Sequence, residues 1–314
     1  MARSMEKDGT QAAQAGAQHI AGVGMVFVST VLLAAMPSLA KLALDSGASV
    51  LFVMLGRFSV SVLLLAFALS AFKRGLIPSG RVALLCVLAG IATATMSFGF
   101  ISAIRSIDVS LTILIFYAHP VIVAWLGHLR GSYALTRARL FFCTLTLIGL
   151  ALALSIRIEQ IAPSGIALAS LSALSAAVMI LANGDAVAEA GSTLVNFYTS
   201  LVALVLVGIA SVATLSLIAP TTLVGWFGIA GAGSTYCLGI GLFLAAIPAI
   251  GLVRATLITV LEPLMGILLA MALFGARLEA LQWLGVAIVL LGLFLLELPA
   301  ELLGRFTRGS RSVS

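Results

Sequence analysis

The chain has 314 residues, of which 62% are hydrophobic and only 9% charged, and its formal net charge is +6. This composition excludes a soluble domain, because a soluble fold of this length cannot bury so much apolar surface. The apolar runs are continuous and do not alternate with polar residues, so we expect membrane-spanning helices and not the strands of a membrane barrel.

Ten apolar stretches follow one another along the chain, and a helix of about 20 such residues crosses a ~30 Å hydrocarbon core. The predicted spans are 20–43, 48–71, 81–104, 108–128, 139–156, 164–184, 193–217, 221–246, 250–274 and 279–298. Polar tails flank them, and we expect a disordered N-terminal tail over 1–19 and a cytoplasmic C-terminal tail over 301–314. Cys86, Cys143 and Cys237 all fall inside predicted spans, which favours small core residues over disulfides or metal ligands.

Basic residues are distributed unevenly between the two sides of the predicted bundle. If both termini are cytoplasmic, that side holds eleven of them: Arg3, Lys7, Lys73, Arg74, Arg81, Arg130, Arg137, Arg139, Arg305, Arg308 and Arg311. The other side holds four: Lys41, Arg105, Arg157 and Arg277. The positive-inside rule therefore predicts cytoplasmic termini, and the net charge gives no reason to expect a nucleic-acid partner.

An internal repeat emerges when the chain is compared with itself at the offset that places Pro120 on Pro263. At this repeat offset Gly149 also falls on Gly292, and His119 falls on Glu262. We therefore predict two five-helix repeats over 20–160 and 161–300. Because five is odd, the second repeat enters the membrane from the opposite side, and such inverted repeats are typical of secondary transporters with a central cavity between the halves.

The repeat places an ionisable residue followed by a proline in the fourth helix of each half, His119 with Pro120 and Glu262 with Pro263. A carboxylate at the bilayer centre costs roughly 2.5–3.5 kcal/mol on insertion scales, so it usually faces a polar interior. The residues that we expect to line the substrate cavity are Glu262, His119, Tyr117, Lys41, Arg57, Phe98, Tyr236 and Thr259. A structural role stays open for Glu262, as a protonated group bonded between helices, and for His119, as a buried neutral ring.

Five residues are candidates for hinges or gates: Pro37, Pro120, Pro263, Gly231 and Gly233. Prolines remove a backbone donor and bend a helix. Glycines on the eighth helix either permit bending or only allow close helix packing.

Arg57 lies about eight residues, or ~12 Å, inside the second helix, where it needs carbonyls, a carboxylate or a bound anion. Lys41, near the outer end of the first helix, either extends to the surface or borders the cavity mouth.

Two segments carry a resemblance to a known family. The stretch PSLAKLALDSGASVLFVMLGRFSVSVLLLA (37–66) resembles the opening helix pair of EamA-type members of the drug/metabolite transporter superfamily. The stretch ATLITVLEPLMGILLAMALFGARLEALQWLGVAIVLLGLFLL (255–296) is similar to the closing segment of that family. Within the superfamily, YAHP at 117–120 is most similar to exporters of aromatic amino acids. The resemblance implies a multi-pass protein of the inner (plasma) membrane that exports such amino acids or related drugs.

Alternating access is the mechanism that we expect, with a small-molecule substrate, no cofactor and a monomeric protein. A passive facilitator or channel of the same fold is the alternative. An intramembrane enzyme is weighed because Ser234, His119 and Asp108 are present, but no G-x-S-x-G surrounds Ser234 and Asp108 is predicted near the surface. We therefore expect neither an enzyme nor a metal site.

Overall fold

The computed structural model describes residues 2–71, 77–104, 106–155, 162–215, 217–274 and 277–297. Every regular element in these ranges is a helix, and each predicted span corresponds to a helix or to a broken helix. The helices are α1 Ala2–Asp45, α2 Val50–Ala71, α3 Gly80–Ile104, α4 Val109–Phe116, α5 His119–Leu129, α6 Arg137–Ala153, α7 Pro163–Ala190, α8 Ser192–Thr214, α9 Leu223–Ile250, α10 Leu252–Ile258, a 3₁₀ turn Thr259–Leu261, α11 Glu262–Phe274 and α12 Ala280–Glu297.

Helices α1 and α7 extend furthest beyond the predicted bounds. Helix α1 begins at Ala2, within the tail that the sequence predicted to be disordered, and the alanines and glutamines there have good helix propensity. Helix α7 continues to Ala190 through residues that the sequence placed in a connection, and the chain turns at Gly191, where φ is +75°. Glycine adopts this left-handed region without the steric cost that a Cβ imposes. The predicted C-terminal tail, 301–314, lies outside the described residues.

Eight segments of the described chain are long and apolar enough to cross a membrane. They are Gly16–Asp45, Val50–Ala71, Gly80–Ile104, Val109–Leu129, Pro163–Ala190, Ser192–Thr214, Leu223–Ile250 and Leu252–Leu269. Two further helices fill the predicted fifth and tenth positions but are shorter, Arg137–Ala153 and Ala280–Glu297. The total of ten spans therefore stays a prediction, and eight is the number supported by length and composition.

Helix starts recur at the repeat offset. Gly80 and Leu223 begin helices, as do Val109 and Leu252, His119 and Glu262, and Arg137 and Ala280. The members of each pair are separated by the same length of chain as Pro120 and Pro263. This regular spacing is what an internal repeat at that offset predicts.

The chain forms two compact units, and each takes helices from both predicted repeats. Unit 1 comprises Met1–Ala94 and Val178–Ala255, and unit 2 comprises Thr95–Ala177 and Thr256–Ser314. The compact units are thus not the predicted repeats 20–160 and 161–300, which stay a prediction about sequence organisation.

Small residues bring the helices of unit 1 into close contact. Helix α9 packs on α1 and α2, and α2 packs on α8. At Gly233 an added Cβ would lie 2.6 Å from Val60 Cβ and 2.9 Å from the Arg57 carbonyl oxygen. The Ser29 hydroxyl on α1 donates to the Gly239 carbonyl on α9 at 2.7 Å. Small residues and interhelical hydrogen bonds are the usual means of helix association in lipid.

Unit 2 contains a matching hydrogen bond. The Ser172 hydroxyl on α7 donates to the Met96 carbonyl on α3 at 2.8 Å. The repeat offset places Ser29 on Ser172, and it places Met96 on Gly239. The donor serine lies in the first half of the sequence in one bond and in the second half in the other. Both the donors and the acceptors of the two bonds are therefore related by the repeat offset.

Replacing Gly285 by Ala in unit 2 is expected to destabilise the protein by about 1–3 kcal/mol, the usual cost of overpacking. Its Cβ would press on the Ala153 amide nitrogen and lie 2.6 Å from the Gly149 carbonyl oxygen, and backbone atoms of a helix cannot yield. Thermal unfolding in detergent measures the effect. Gly266→Ala is the control, because nothing lies within 4 Å of its Cβ position. Equal melting temperatures for the two variants would contradict the close packing of α6 and α12.

Candidate functional site

The fourth predicted span is broken in the middle. Helix α4 ends at Phe116, α5 begins at His119, and the Tyr117 amide donates to the Ile113 carbonyl at 2.9 Å. Pro120 lacks the N–H that would bond the Phe116 carbonyl four residues earlier. The His119 ring compensates, because its Nδ1 donates to that carbonyl at 2.8 Å. His119 therefore has a structural role at the break, whatever further role it has.

The ninth predicted span is broken at the equivalent point. A 3₁₀ turn over Thr259–Leu261 precedes α11, which begins at Glu262. Pro263 lacks the donor for the Thr259 carbonyl, and the backbone N–H of Glu262 bonds that carbonyl in its place. The positive end of a helix dipole stabilises an acidic side chain in the first turn, which is where Glu262 lies.

The two prolines thus differ from the expected hinges in one respect. The sequence predicted bends inside continuous helices, whereas Pro120 and Pro263 each occupy the second position of a new helix. Proline is well tolerated in the first turn, where the N–H has no intrahelical partner. The structure therefore satisfies each proline by ending one helix and starting another.

Unit 2 brings Tyr117, His119 and Glu262 together around these breaks. The Tyr117 hydroxyl donates to the Glu262 carboxyl. Tyr117 is only 4% exposed and His119 5% exposed, while Glu262 is partly exposed. The Phe116 ring centroid lies 5.3 Å from that of Tyr117 and 4.8 Å from that of His119. The Glu262 carboxyl therefore lies beside an aromatic cluster, to which Phe100 adds an edge contact with Phe116 at 5.3 Å.

Arg57 and Tyr236 meet in unit 1. The Arg57 guanidinium lies 5.0 Å from the centroid of the Tyr236 ring and 4.6 Å from that of Phe58. Its Nη1 also donates to the Met36 sulfur at 3.4 Å. These contacts suit the planar, weakly hydrated guanidinium, which stacks on aromatic faces in a way that lysine does not.

A polar cluster in unit 1 was not among the predicted site residues. Thr199 donates to the Asn183 side chain at 2.8 Å, and Asn196 Nδ2 donates to the Cys237 carbonyl at 3.1 Å. Ser200 donates to Asn196 Oδ1 at 3.4 Å, and all four side chains are buried. On α8, Thr199 and Ser200 follow Asn196 by three and four residues, and this spacing was a readable signal of one polar helix face.

The remaining predicted residues lie outside these clusters. Lys41 is exposed and pairs with Asp45 at 2.9 Å, and Phe98 is 61% exposed. Thr259 is buried and its hydroxyl donates to the Thr256 carbonyl at 2.7 Å. Pro37 lies inside α1, which continues through it. At Gly231 an added Cβ would lie 3.2 Å from the Leu39 side chain, a looser contact than the one at Gly233.

A small, largely apolar recess adjoins the break in unit 2. The ten residues that line it are Tyr117, Pro120, Val121, Cys143, Thr146, Leu147, Leu257, Val260, Leu293 and Leu296. Glu262 and His119 are not among them. In the part of the chain that the structure describes, no group of three or more His, Cys, Asp or Glu side chains could hold a metal ion, and all three cysteines are free and buried.

The hydrogen bond from His119 can be tested by a double substitution. His119→Ala is expected to cost about 1–3 kcal/mol, because the Phe116 carbonyl is then left without a donor in a nonpolar setting. Adding Pro120→Ala supplies a backbone N–H for that carbonyl, so the double variant should recover much of the loss. Thermal unfolding of the single and double variants measures the coupling. Strictly additive effects would show that His119 does not compensate for the proline.

Part of the chain matches a known protein family. Residues 163–298 match the sequence pattern of the EamA-like transporter family, and this segment nearly coincides with the predicted second repeat. No curated protein matches the sequence of the chain. Twenty-nine chains of solved structures match it. One is a crystal structure that covers 88% of this chain and 97% of its own, with a TM-score of 0.74 and 15% sequence identity. At that identity the likeness shows the fold alone.

The apolar helices and the family match together define a multi-pass helical membrane protein. The match of residues 163–298 to the EamA-like transporter family supports the drug/metabolite transporter superfamily and a role in moving small solutes across a membrane.

Proposed function

We propose that this protein is a secondary transporter of the inner (plasma) membrane that exports small amphipathic solutes, aromatic amino acids among them, by alternating access. The observation that carries the proposal is the pair of broken helices in unit 2, with His119 and Glu262 as the first residues of α5 and α11. Broken helices at membrane depth are tolerated where they line a polar path, and transporters place their binding sites at such breaks.

The proposal includes two inverted five-helix repeats around a central cavity, with both termini cytoplasmic. The helix starts that pair at the repeat offset support the repeat. The exchanged hydrogen bonds Ser29–Gly239 and Ser172–Met96 support it as well. The basic residues support the orientation through the positive-inside rule.

Aromatic amino acids are proposed because aromatic side chains surround the polar groups in both units. Phe100, Phe116 and Tyr117 lie next to each other in unit 2, and Phe58 and Tyr236 face Arg57 in unit 1. Aromatic rings prefer to meet other rings in edge or offset contacts. The candidate cavity residues Lys41, Phe98 and Thr259 belong to the proposal on sequence grounds alone.

This function is tested with the purified protein in liposomes and a panel of labelled amino acids. We expect phenylalanine, tyrosine and tryptophan to cross faster than in protein-free liposomes, while lysine and aspartate cross at the protein-free rate. Transport of charged amino acids with no transport of aromatic ones would overturn the proposed substrate class. Protein-free rates for the entire panel would overturn the proposed export of amino acids.

A further inference from the structure

The Glu262 carboxyl has an unusual partner for a carboxyl in a membrane helix. Its bond comes from the neutral Tyr117 hydroxyl. In the part of unit 2 that the structure describes, no lysine or arginine forms an ion pair with it. Acidic groups within a membrane usually pair with a cation or face a polar path. The described part of unit 2 therefore supplies no cationic partner for this carboxyl.

The surroundings of this carboxyl favour an organic cation. Phe116 contacts Tyr117 edge to face at 5.3 Å, and Phe100 contacts Phe116 in the same manner at 5.3 Å. Aromatic faces attract ammonium groups, and they also pack against apolar and aromatic parts of a ligand. Small inorganic cations need several oxygen ligands, whereas an ammonium group can donate to a single carboxyl.

Accessibility differs between the two hydrogen-bonded partners. Tyr117 is 4% exposed, whereas the Glu262 residue is partly exposed. Part of the Glu262 residue is therefore accessible, while the Tyr117 ring is enclosed. For a solute to bind the carboxyl, the Tyr117 hydroxyl has to release the carboxyl oxygen to which it donates.

We propose that the Glu262 carboxyl is a subsite for the ammonium group of the transported solute, and that the Tyr117 hydroxyl bonds the carboxyl while the subsite is empty. The ammonium group of an entering amine donates to Glu262 and replaces the phenolic donor, and its apolar part lies beside Phe116. This inference rests on the proposed function only in that the transported solute is an amine. It assigns the charge of the ligand at Glu262, which the proposed function leaves open.

Three ligands with the same ring separate the contribution of each charged group: phenethylamine, phenylalanine and 3-phenylpropionate. Binding is measured by isothermal titration on the full chain in detergent. Phenethylamine and phenylalanine are expected to bind, and 3-phenylpropionate at least tenfold more weakly. Glu262→Gln should weaken phenethylamine binding by roughly tenfold or more, because a charge-assisted bond becomes a neutral one.

Tyr117→Phe is expected to change the affinity for phenethylamine in the opposite direction. This variant therefore distinguishes an effect on the subsite from general damage to the fold. Without the competing hydroxyl, phenethylamine should bind about two- to tenfold more tightly, as expected for the removal of one hydrogen bond. Glu279→Gln is the matched control, because Glu279 is exposed and precedes α12. Equal binding of phenethylamine and 3-phenylpropionate would overturn the subsite, as would unchanged affinity in Glu262→Gln or weaker binding in Tyr117→Phe.

Failure of this inference is distinguishable from failure of the proposed function. If phenylalanine is transported but Glu262→Gln binds phenethylamine as the unsubstituted protein does, the subsite is wrong and the transporter stands. If phenethylamine binds in a Glu262-dependent manner but no aromatic amino acid is transported, the subsite stands and the proposed substrates are wrong.

Discussion

Replacing Glu262 by Gln is expected to slow solute transport by roughly 10- to 100-fold, the range that corresponds to losing a hydrogen bond to a charged group. The substitution keeps the size of the side chain and can still accept a bond from Tyr117, but it removes the charge and the titration. If Glu262 carries a proton during the cycle, the dependence of transport on pH should also flatten. Initial transport rates in liposomes, measured from pH 5.5 to 8.5, test both expectations.

The control for this substitution is Glu279→Gln, which removes an exposed carboxyl at the surface before α12. Its transport rate should equal that of the unsubstituted protein. If Glu262→Gln transports at the normal rate with an unchanged pH profile, Glu262 has a packing role only. Its position at the N-terminus of α11 and its bond from Tyr117 would then be its full contribution.

Replacing Pro120 and Pro263 together by Ala is expected to raise the melting temperature and to slow transport by about tenfold. Alanine supplies the missing N–H and removes the ring that clashes with the preceding turn, so we expect each broken helix to become continuous. Continuous helices would resist the local rearrangement that alternating access needs. Thermal unfolding and transport rates on the same preparation measure the two effects.

Pro163→Ala is the matched control for the double substitution. Pro163 is exposed and begins α7, where proline has no hydrogen bond to disrupt. It should change neither stability nor transport beyond the experimental scatter. A double variant that is more stable and equally fast would show that the breaks are structural features without a part in the transport cycle.

Helix positions could be predicted closely from the sequence. The predicted span 81–104 corresponds to Gly80–Ile104, and the paired predictions 108–128 and 250–274 correspond to the two broken helices. Continuous apolar runs determine helix location in a membrane because backbone polar groups must be bonded within the segment. The recurrence of proline at the repeat offset also indicated where both helices would deviate.

Contacts between distant helices could not be predicted in the same way. Tyr117 and Glu262 are far apart in sequence, and helical periodicity says which residues share a face but not which face meets which helix. The same limit applies to the polar cluster around Asn183 and Asn196, whose partners come from different helices. The breaks themselves depend on local compensation, such as the His119 bond to Phe116, which composition does not reveal.

Counterflow tests alternating access most directly. Liposomes containing the purified protein are loaded with the unlabelled form of the solute that gives the highest rate in the amino acid panel, and uptake of the labelled form is followed. A carrier that alternates between two sides should take up label faster than in unloaded liposomes, with a transient excess above the equilibrium level. Uptake that is independent of the internal solute and never exceeds equilibrium would contradict alternating access and indicate a passive facilitator.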